Sequence, residues 1–271
     1  MWDALAAHRW YPPTSKRVTT DRYELAVTPG APGLSWIYGL TAGDDREASR
    51  LLDEIRPSIE SVGGTGARIW VTPKSQPGGL RDLLVSRGFK SGESVEVLVW
   101  DLRDDQGNPR LPSFTSHRDG EVREITTESD SNTFQDVMAT IFEYGPPSVE
   151  VRAGFNRNLD QTVRQTGHSN QFLAFEGARA IGCAGLGLSG AVAMLWGAGV
   201  LPEYRGRGFY GELVNARCES ATERGSEIAV VTARTGTSGP ILKRHGFRVV
   251  GPIEIFEAQW SSPERRPPSP V

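Results

Sequence analysis

The stretch Gly199-Val200-Leu201-Pro202-Glu203-Tyr204-Arg205-Gly206-Arg207-Gly208-Phe209-Tyr210-Gly211-Glu212-Leu213 decides how this chain is read. A strand ends at Leu201 and a helix starts near Gly208 or Phe209. The helix shows apolar positions at helical spacing, Tyr210, Leu213, Val214, Cys218 and Ala221, and Gly225 is placed to end it. Between strand and helix lies a glycine-rich loop with two arginines. The first turn of a helix leaves backbone N–H groups unpaired and carries the positive end of the helix dipole. Glycines let a ligand approach that backbone, and Arg205 and Arg207 add formal charge. The run therefore predicts an anion site suited to a phosphate or pyrophosphate.

Upstream, residues 180–201 carry no charge, which is long enough for a membrane span. The stretch contains six glycines, with a turn at Leu188-Ser189-Gly190-Ala191. Two buried strands, 180–186 and 192–201, explain the missing charge without a membrane. Downstream come a strand at 228–232, a helix at 240–245 ending in Gly246-Phe247, and a strand at 253–260. The first half echoes this with a strand at 69–72, a helix at 80–87 ending in Gly88-Phe89, and a strand at 95–100. Thr232 and Thr72 are 160 apart, Gly246 and Gly88 are 158 apart, and Trp260 and Trp100 are 160 apart. The near-constant offset indicates an internal duplication.

Further strands are expected at 23–27, 35–40, 122–125 and 171–175, and helices at 47–61, 133–142, 156–165 and 209–224. Alternating strands and helices with one central hairpin give an α/β fold with a mixed sheet in each half. The expected domains are 1–103 and 121–260. Between them lies a turn-rich linker, 104–120, and a Pro- and Ser-rich tail follows at 261–271. The 271 residues are 38% hydrophobic and 23% charged, the profile of a folded globular protein. A net charge of −3 offers no basic excess for nucleic acid. Cys183 and Cys218 lack partners at metal-ligand spacing, so neither a zinc site nor a disulfide framework is expected. Free thiols fit a cytoplasmic protein, and the start Met1-Trp2-Asp3-Ala4-Leu5 does not read as a secretory signal.

Gly206-x-Gly208-x-x-Gly211 formally matches the dinucleotide fingerprint. Against it, Pro202 to Arg205 separate the strand from the first glycine, only about 60 residues follow, and the next strand ends Thr232-Ala233-Arg234 without a ribose-binding acid. The run instead resembles the GCN5-related N-acetyltransferase (GNAT) family. That family's signature is Arg or Gln, two residues, Gly, one residue, then Gly or Ala, after a strand ending Val-x-Pro. Here it reads Val200-x-Pro202, then Arg205-x-x-Gly208-x-Tyr210. The resemblance spans about Val122 to Trp260, with the helices at 133–142 and 156–165 resembling the family's two N-terminal helices.

The resemblance implies a GNAT acyl-CoA acyltransferase fold, two such domains in tandem, and direct acetyl transfer from acetyl-CoA as donor substrate. The pyrophosphate would rest on the N–H groups of Gly206, Arg207, Gly208, Phe209, Tyr210 and Gly211, with the charge of Arg205 beside them. The pantetheine arm would pair with Gly199, Val200 and Leu201, and N–H groups near Val200 and Leu201 would hold the oxyanion. The chain departs from the pattern at Tyr210, where Gly or Ala is usual. It departs again at Leu242, where many members place the Tyr that protonates the thiolate. Glu143 is the candidate general base, with Tyr144 beside it. His168, His245 and the two cysteines read as structural.

The 160-residue offset carries the phosphate loop onto Arg46, beside Asp44 and Asp45. A capping carboxylate there would occupy the helix N–H groups and repel a phosphate, so the first half is read as a degenerate GNAT-like domain without a CoA site. The function that follows is acetyl-CoA-dependent N-acetylation of a primary amine on a small molecule or peptide, by a monomer or homodimer without nucleic-acid or membrane partners. The rivals are an acyl-CoA sensor without turnover, an acyltransferase using another donor, and a nicotinamide-dependent enzyme.

Overall fold

The elements follow the apolar pattern of the sequence closely: Leu25, Ala26 and Val27 are buried in succession, and so are Gln171 to Phe175. The computed structural model describes residues 15–27, 35–114, 120–143 and 145–260. Their first half runs β1 (Lys16–Thr19), β2 (Glu24–Val27), β3 (Trp36–Tyr38), α1 (Asp45–Glu60), β4 (Gly66–Val71), α2 (Leu80–Ser86) and β5 (Lys90–Asp101). The second half runs β6 (Gly120–Glu124), α3 (Glu128–Phe142), α4 (Val149–Thr166), β7 (Gln171–Glu176), β8 (Arg179–Ser189), β9 (Val192–Val200), α5 (Phe209–Glu223), β10 (Ile228–Arg234), α6 (Ser238–Arg244) and β11 (Arg248–Gln259). The uncharged stretch is the β8–β9 hairpin, and no helix among the described residues is long and apolar enough to cross a membrane.

Compactness divides these residues differently from chain order. One unit is 95–251; the other is 15–94 with 252–260. In the first unit the strand order is β5-β10-β9-β8-β7-β6. In the second it is β1-β2-β3-β4-β11. Each half has therefore exchanged its last strand. β5, from the first half, pairs antiparallel with β10 from Asp101↔Ile228 to Val95↔Arg234. β11, from the second half, pairs antiparallel with β4 from Glu254↔Val71 to Gln259↔Gly66. The apolar patterns explain why sequence order misleads here. Val95, Val97, Leu98, Val99 and Trp100 on β5, and Ile253, Ile255, Phe256 and Ala258 on β11, are all buried, so either strand suits either slot.

The two halves repeat an order of elements. β3 and β4 are parallel with α1 between them, as β9 and β10 are parallel with α5 between them. In unit 95–251, α5 and α6 bury Phe209, Leu213, Cys218, Ala221 and Leu242 with Leu98, Trp100 and Val231. Phe134, Val137 and Met138 of α3 and Phe155 of α4 form a separate core with Leu173 and Cys183. In the other unit, Ala48, Leu52, Ile55 and Ile59 of α1 sit at helical spacing and bury with Ile37, Ile69 and Phe256.

The stretch read as a linker is anchored to unit 95–251 as far as Phe114. Trp100 Nε1 donates to Arg110 O at 2.8 Å, and the Arg110 guanidinium lies 4.3 Å from the Trp100 ring centroid. The Phe114 ring lies 4.0 Å from that of His245. Residues 115–119, Tyr144, the start at Met1 to Leu5 and the expected tail at 261–271 lie outside the described residues.

Candidate functional site

The site is built where β9 leaves β10. The two strands pair in parallel only from Val192↔Ile228 to Leu195↔Val231. β10 then continues against β5 as far as Arg234, while β9 continues against β8 to Val200. Gly197, at a φ of 56°, and a register shift on β8 between Cys183 and Gly185 mark a bulge at the point of departure. Beyond Leu195, the edge of β9 that faced β10 has no strand paired to it among the described residues.

The alternation of the β8–β9 ladder says which groups face that edge. Leu201 N–H donates to Ile181 O at 2.8 Å, so the pair 181/201 is hydrogen-bonded and its neighbour Gly182↔Val200 is not. The Val200 N–H and carbonyl therefore point to the open edge. Leu201 does not share that role, because its N–H is spent on β8. Gly199 differs from expectation too. A Cβ there would collide with Ile141 of α3, so this glycine serves helix-on-sheet packing.

After β9, a single 3₁₀ turn at Pro202–Tyr204 leads into the loop. Gly206 and Gly208 have φ of 75° and 93°, the left-handed region that glycine enters without strain. Gly208 is the N-cap of α5 and offers no side chain, so no cap hydrogen bond closes the helix start. The N–H groups of Gly206, Arg207, Gly208 and Tyr210 have no backbone acceptor among the described residues. Gly211 falls outside this set. Its N–H returns to Gly208 O at 2.9 Å, and Phe114 lies where its Cβ would be. Phe209 is buried in the core.

The two arginines divide their work differently from the sequence expectation. Arg205 folds back, Nε donating to Val200 O at 3.0 Å, and ties the loop to the end of β9. Arg207 pairs with Glu176 of β7 and lies 5.5 Å from the Tyr204 ring and 5.6 Å from the Phe209 ring. Its charge is largely matched within the protein, so the backbone carries most of the attraction for an anion.

Sequence reading passed over Arg217, which sits in the apolar stripe of α5 at 1% exposure. Its Nε donates to Leu213 O at 2.8 Å, and its Nη1 to Gly185 O at 3.2 Å and Trp196 O at 3.4 Å, at the bulge. The signal was present: a lone arginine between Leu213, Val214 and Cys218. Burial pulls its pKa down, and the groups that act back on it are Tyr210, Cys218 and Cys183, none of them a carboxylate. Burial pushes both thiols up to about 12, so they stay protonated.

Tyr210 is half-buried on the first turn of α5. Burial raises its hydroxyl above the ordinary tyrosine value, while Arg217 and a hydrogen bond with Ser238 pull it back. Leu242, at the position of the missing acid, is 0% exposed. Glu143 is exposed and forms the left-handed C-cap of α3 at a φ of 56°. His245 Nδ1 is 2.8 Å from Ser113 O, and His168 Nδ1 is 2.9 Å from Glu124 Oε2, which gives both a structural task. Among the described residues no group of three His, Cys, Asp or Glu is placed to hold a metal.

The counterpart helix start in the first half is closed. Asp44 Oδ1 accepts from Glu47 N–H at 2.7 Å, and Glu47 Oε2 accepts from Gly43 N–H at 2.6 Å, a reciprocal cap that puts two carboxylates at the start of α1.

Residues 134–247 match the acetyltransferase (GNAT) family. Comparison with curated protein sequences gives no significant match. Among solved structures, the chain is similar to a GCN5-related N-acetyltransferase from Kribbella flavida, with a TM-score of 0.63 and 15% identity over 90% of this chain and 89% of that one. One from Sphaerobacter thermophilus gives 0.64 and 16% over 88% and 80%. A tandem GNAT protein from the clavulanic acid biosynthesis pathway gives 0.57 and 16% over 95% and 87%. At these identities the likeness is one of fold. An unpaired strand edge, a bare helix start after it and the order β6-α3-α4-β7-β8-β9-α5-β10 lie in or beside the matched segment: residues 134–247 match the acetyltransferase (GNAT) family, in a fold similar to that of GNAT acetyltransferases and of a tandem GNAT protein.

Proposed function

We propose that the protein transfers an acetyl group from acetyl-CoA directly to a primary amine of a small molecule or peptide. The observation that carries this reading is the pairing of an open β9 edge beyond Leu195 with an uncapped α5 start a few residues later. A pyrophosphate on the N–H groups of Gly206 to Gly208 and Tyr210 leaves an extended, amide-bearing arm free to run along β9 as an added strand. The Val200 N–H, aimed at that edge, is a donor for the arm or for the oxyanion formed on attack. Neutral amine attacks the thioester carbonyl, and Glu143, at the end of the helix whose Ile141 packs on Gly199, is the base offered for the ammonium proton. The first half, its helix start filled by Asp44 and Glu47, takes no CoA in this reading. Two unpaired buried cysteines fit a reducing cytoplasm.

Titration calorimetry with acetyl-CoA tests the donor, with NADPH as control. The wild type is expected to bind acetyl-CoA at micromolar concentration and NADPH far more weakly. Gly206→Asp suits the test because aspartate tolerates left-handed backbone and a side chain there meets open space. It should keep the melting temperature and weaken acetyl-CoA at least about tenfold by placing a carboxylate among the phosphate donors. No acetyl-CoA binding at millimolar ligand overturns the reading.

A second reading draws on Leu242. With hydrocarbon at the usual acid position, an acyl-CoA sensor that binds without turnover keeps the same site. Release of CoA thiol in a screen of primary amines separates the two.

A further inference from the structure

We propose that Arg217 is a positioning residue for acetyl-CoA: its guanidinium sets the bulge at which β9 leaves β10, and with it the edge along which the pantetheine arm lies. The inference rests on the acetyl-CoA reading above. The sequence puts this arginine in the apolar stripe of α5, between Val214 and Cys218, where a leucine would pack with no ionic group to bury. A buried guanidinium is costly unless its N–H groups find acceptors. Those of Arg217 are three backbone carbonyls, one on α5 and two at the bulge.

A β-bulge interrupts the ladder and leaves backbone groups without their regular partners. Between Cys183↔Gly199 and Gly185↔Trp196, β8 advances two residues and β9 three, so β9 carries the extra one. Arg217 Nη1 reaches this interruption from α5 and donates to Gly185 O at 3.2 Å and Trp196 O at 3.4 Å, the two carbonyls of the first pair beyond it. Cys183, whose side chain belongs to the core under α3 and α4, puts its Sγ 3.8 Å from Gly197 O. Of these two donors to the bulge the thiol is the weak one and the guanidinium the strong one. Trp196 is also the first β9 residue past the last β9–β10 pair, Leu195↔Val231. The bonds that fix the bulge therefore fix the point at which the two strands part.

The third bond ties the same side chain to its own helix. Arg217 Nε donates to Leu213 O, one turn back, at 2.8 Å, which holds the stem against α5. Leu213 lies one turn past the bare helix start that receives the pyrophosphate. Arg217 is thus a strut between the element that takes the phosphates and the strand edge that takes the arm. No carboxylate is among the groups that act on the guanidinium, so its donors stay with the carbonyls. Without it, two carbonyls at the bulge lose their donor, and β9 is free to shift toward a regular ladder. That shift alters the edge at 197–200 and leaves the loop at 206–210 as it was. The two ends of the ligand then respond differently to a change at Arg217. A residue that only supports the core would move both alike.

The test measures, by calorimetry on the full chain, the affinity for acetyl-CoA and for adenosine 3′-phosphate 5′-diphosphate, the nucleotide half of CoA without its arm. The wild type should bind acetyl-CoA about tenfold or more tighter than the nucleotide. Arg217→Met keeps an unbranched apolar stem and removes the donors. It should hold the nucleotide within about twofold of wild type and lose about tenfold on acetyl-CoA. Amides at 197–200 should exchange faster with deuterium, while those at 213–221 keep their protection. Arg217→Lys, with one donor group left, should fall between the two, and it carries the test where Arg217→Met does not fold. Equal losses on both ligands, or failure of both variants to fold, overturn the inference and mark Arg217 as a support of the whole core. Unchanged affinities in every folded variant overturn it too. A wild type that binds acetyl-CoA no tighter than the nucleotide removes the arm's share and the inference with it. Failure of the wild type to bind either ligand overturns the reading on which it rests.

Discussion

Gly199 and Ile141 meet where α3 crosses β9, and neither has room to spare. Gly199→Ala is expected to destabilise the protein by about 1–3 kcal/mol, because the new methyl enters space held by Ile141 Cγ2. Combining it with Ile141→Val should recover part of that loss, a coupling that urea unfolding of the four variants measures directly. The cysteines give a second expectation at this scale. Both are buried, with thiols pushed up to about 12, so neither should react with a thiol reagent at pH 8 in the native protein. Both should react once it is unfolded. Residue roles were only partly legible in the sequence. Glycines 206 and 208 were readable as parts of an anion-binding loop from their place between strand and helix, but their left-handed backbone is known only from the structure. The spent N–H of Leu201 was not, since it depends on which of two alternating pairs is bonded across to β8.

Two helix starts, one closed and one bare, separate the halves at the scale of elements. A capping carboxylate at Asp44 or Asp45 was readable from the sequence because capping chemistry is local, whereas the return bond from Glu47 to Gly43 was not. Asp44→Ala should cost about 1 kcal/mol in chemical denaturation, with the α1 amides losing protection first. The turn after β5 offers a pH expectation. Hydrogen bonds from Asn108 hold the exposed Asp104 carboxyl below its ordinary value. A depressed folded value means the turn gains from the charged form above the unfolded pKa and loses that gain as pH falls through the folded one. The Asp104 carboxyl resonance in a heteronuclear titration should move at a pH below 3.8. The elements themselves were legible nearly throughout, since periods of two and 3.6 are written in the apolar residues. The exposed β1, Lys16–Thr19, was missed because no apolar pattern marks it.

For the whole molecule, the exchange of β5 and β11 outweighs any single contact. No periodicity could reveal it, because both strands are long, apolar and preceded by the same helix-Gly-Phe unit. Expressed apart, residues 1–103 and 104–271 each lack a strand that completes a sheet they begin. The second piece also lacks Trp100, whose ring packs on Phe247 at 5.4 Å. Each piece alone is expected to show weak near-ultraviolet dichroism and non-cooperative melting, and mixing them should restore a single cooperative transition. A 104–271 piece that melts cooperatively alone would mean β11 can fill the slot beside β10.

The exchange also bears on the order in which the protein can fold as it is made. β4 is complete at Val71, yet its partner strand begins pairing only at Glu254. At about 5–20 residues per second, the ribosome leaves that edge without its mate for roughly ten to forty seconds. β5, meanwhile, waits for β10 to emerge. Neither unit can finish early, so the nascent chain carries two open, apolar strand edges through most of its synthesis. Those edges are natural ground for a holding chaperone, and slow translation would prolong the hazard instead of easing it.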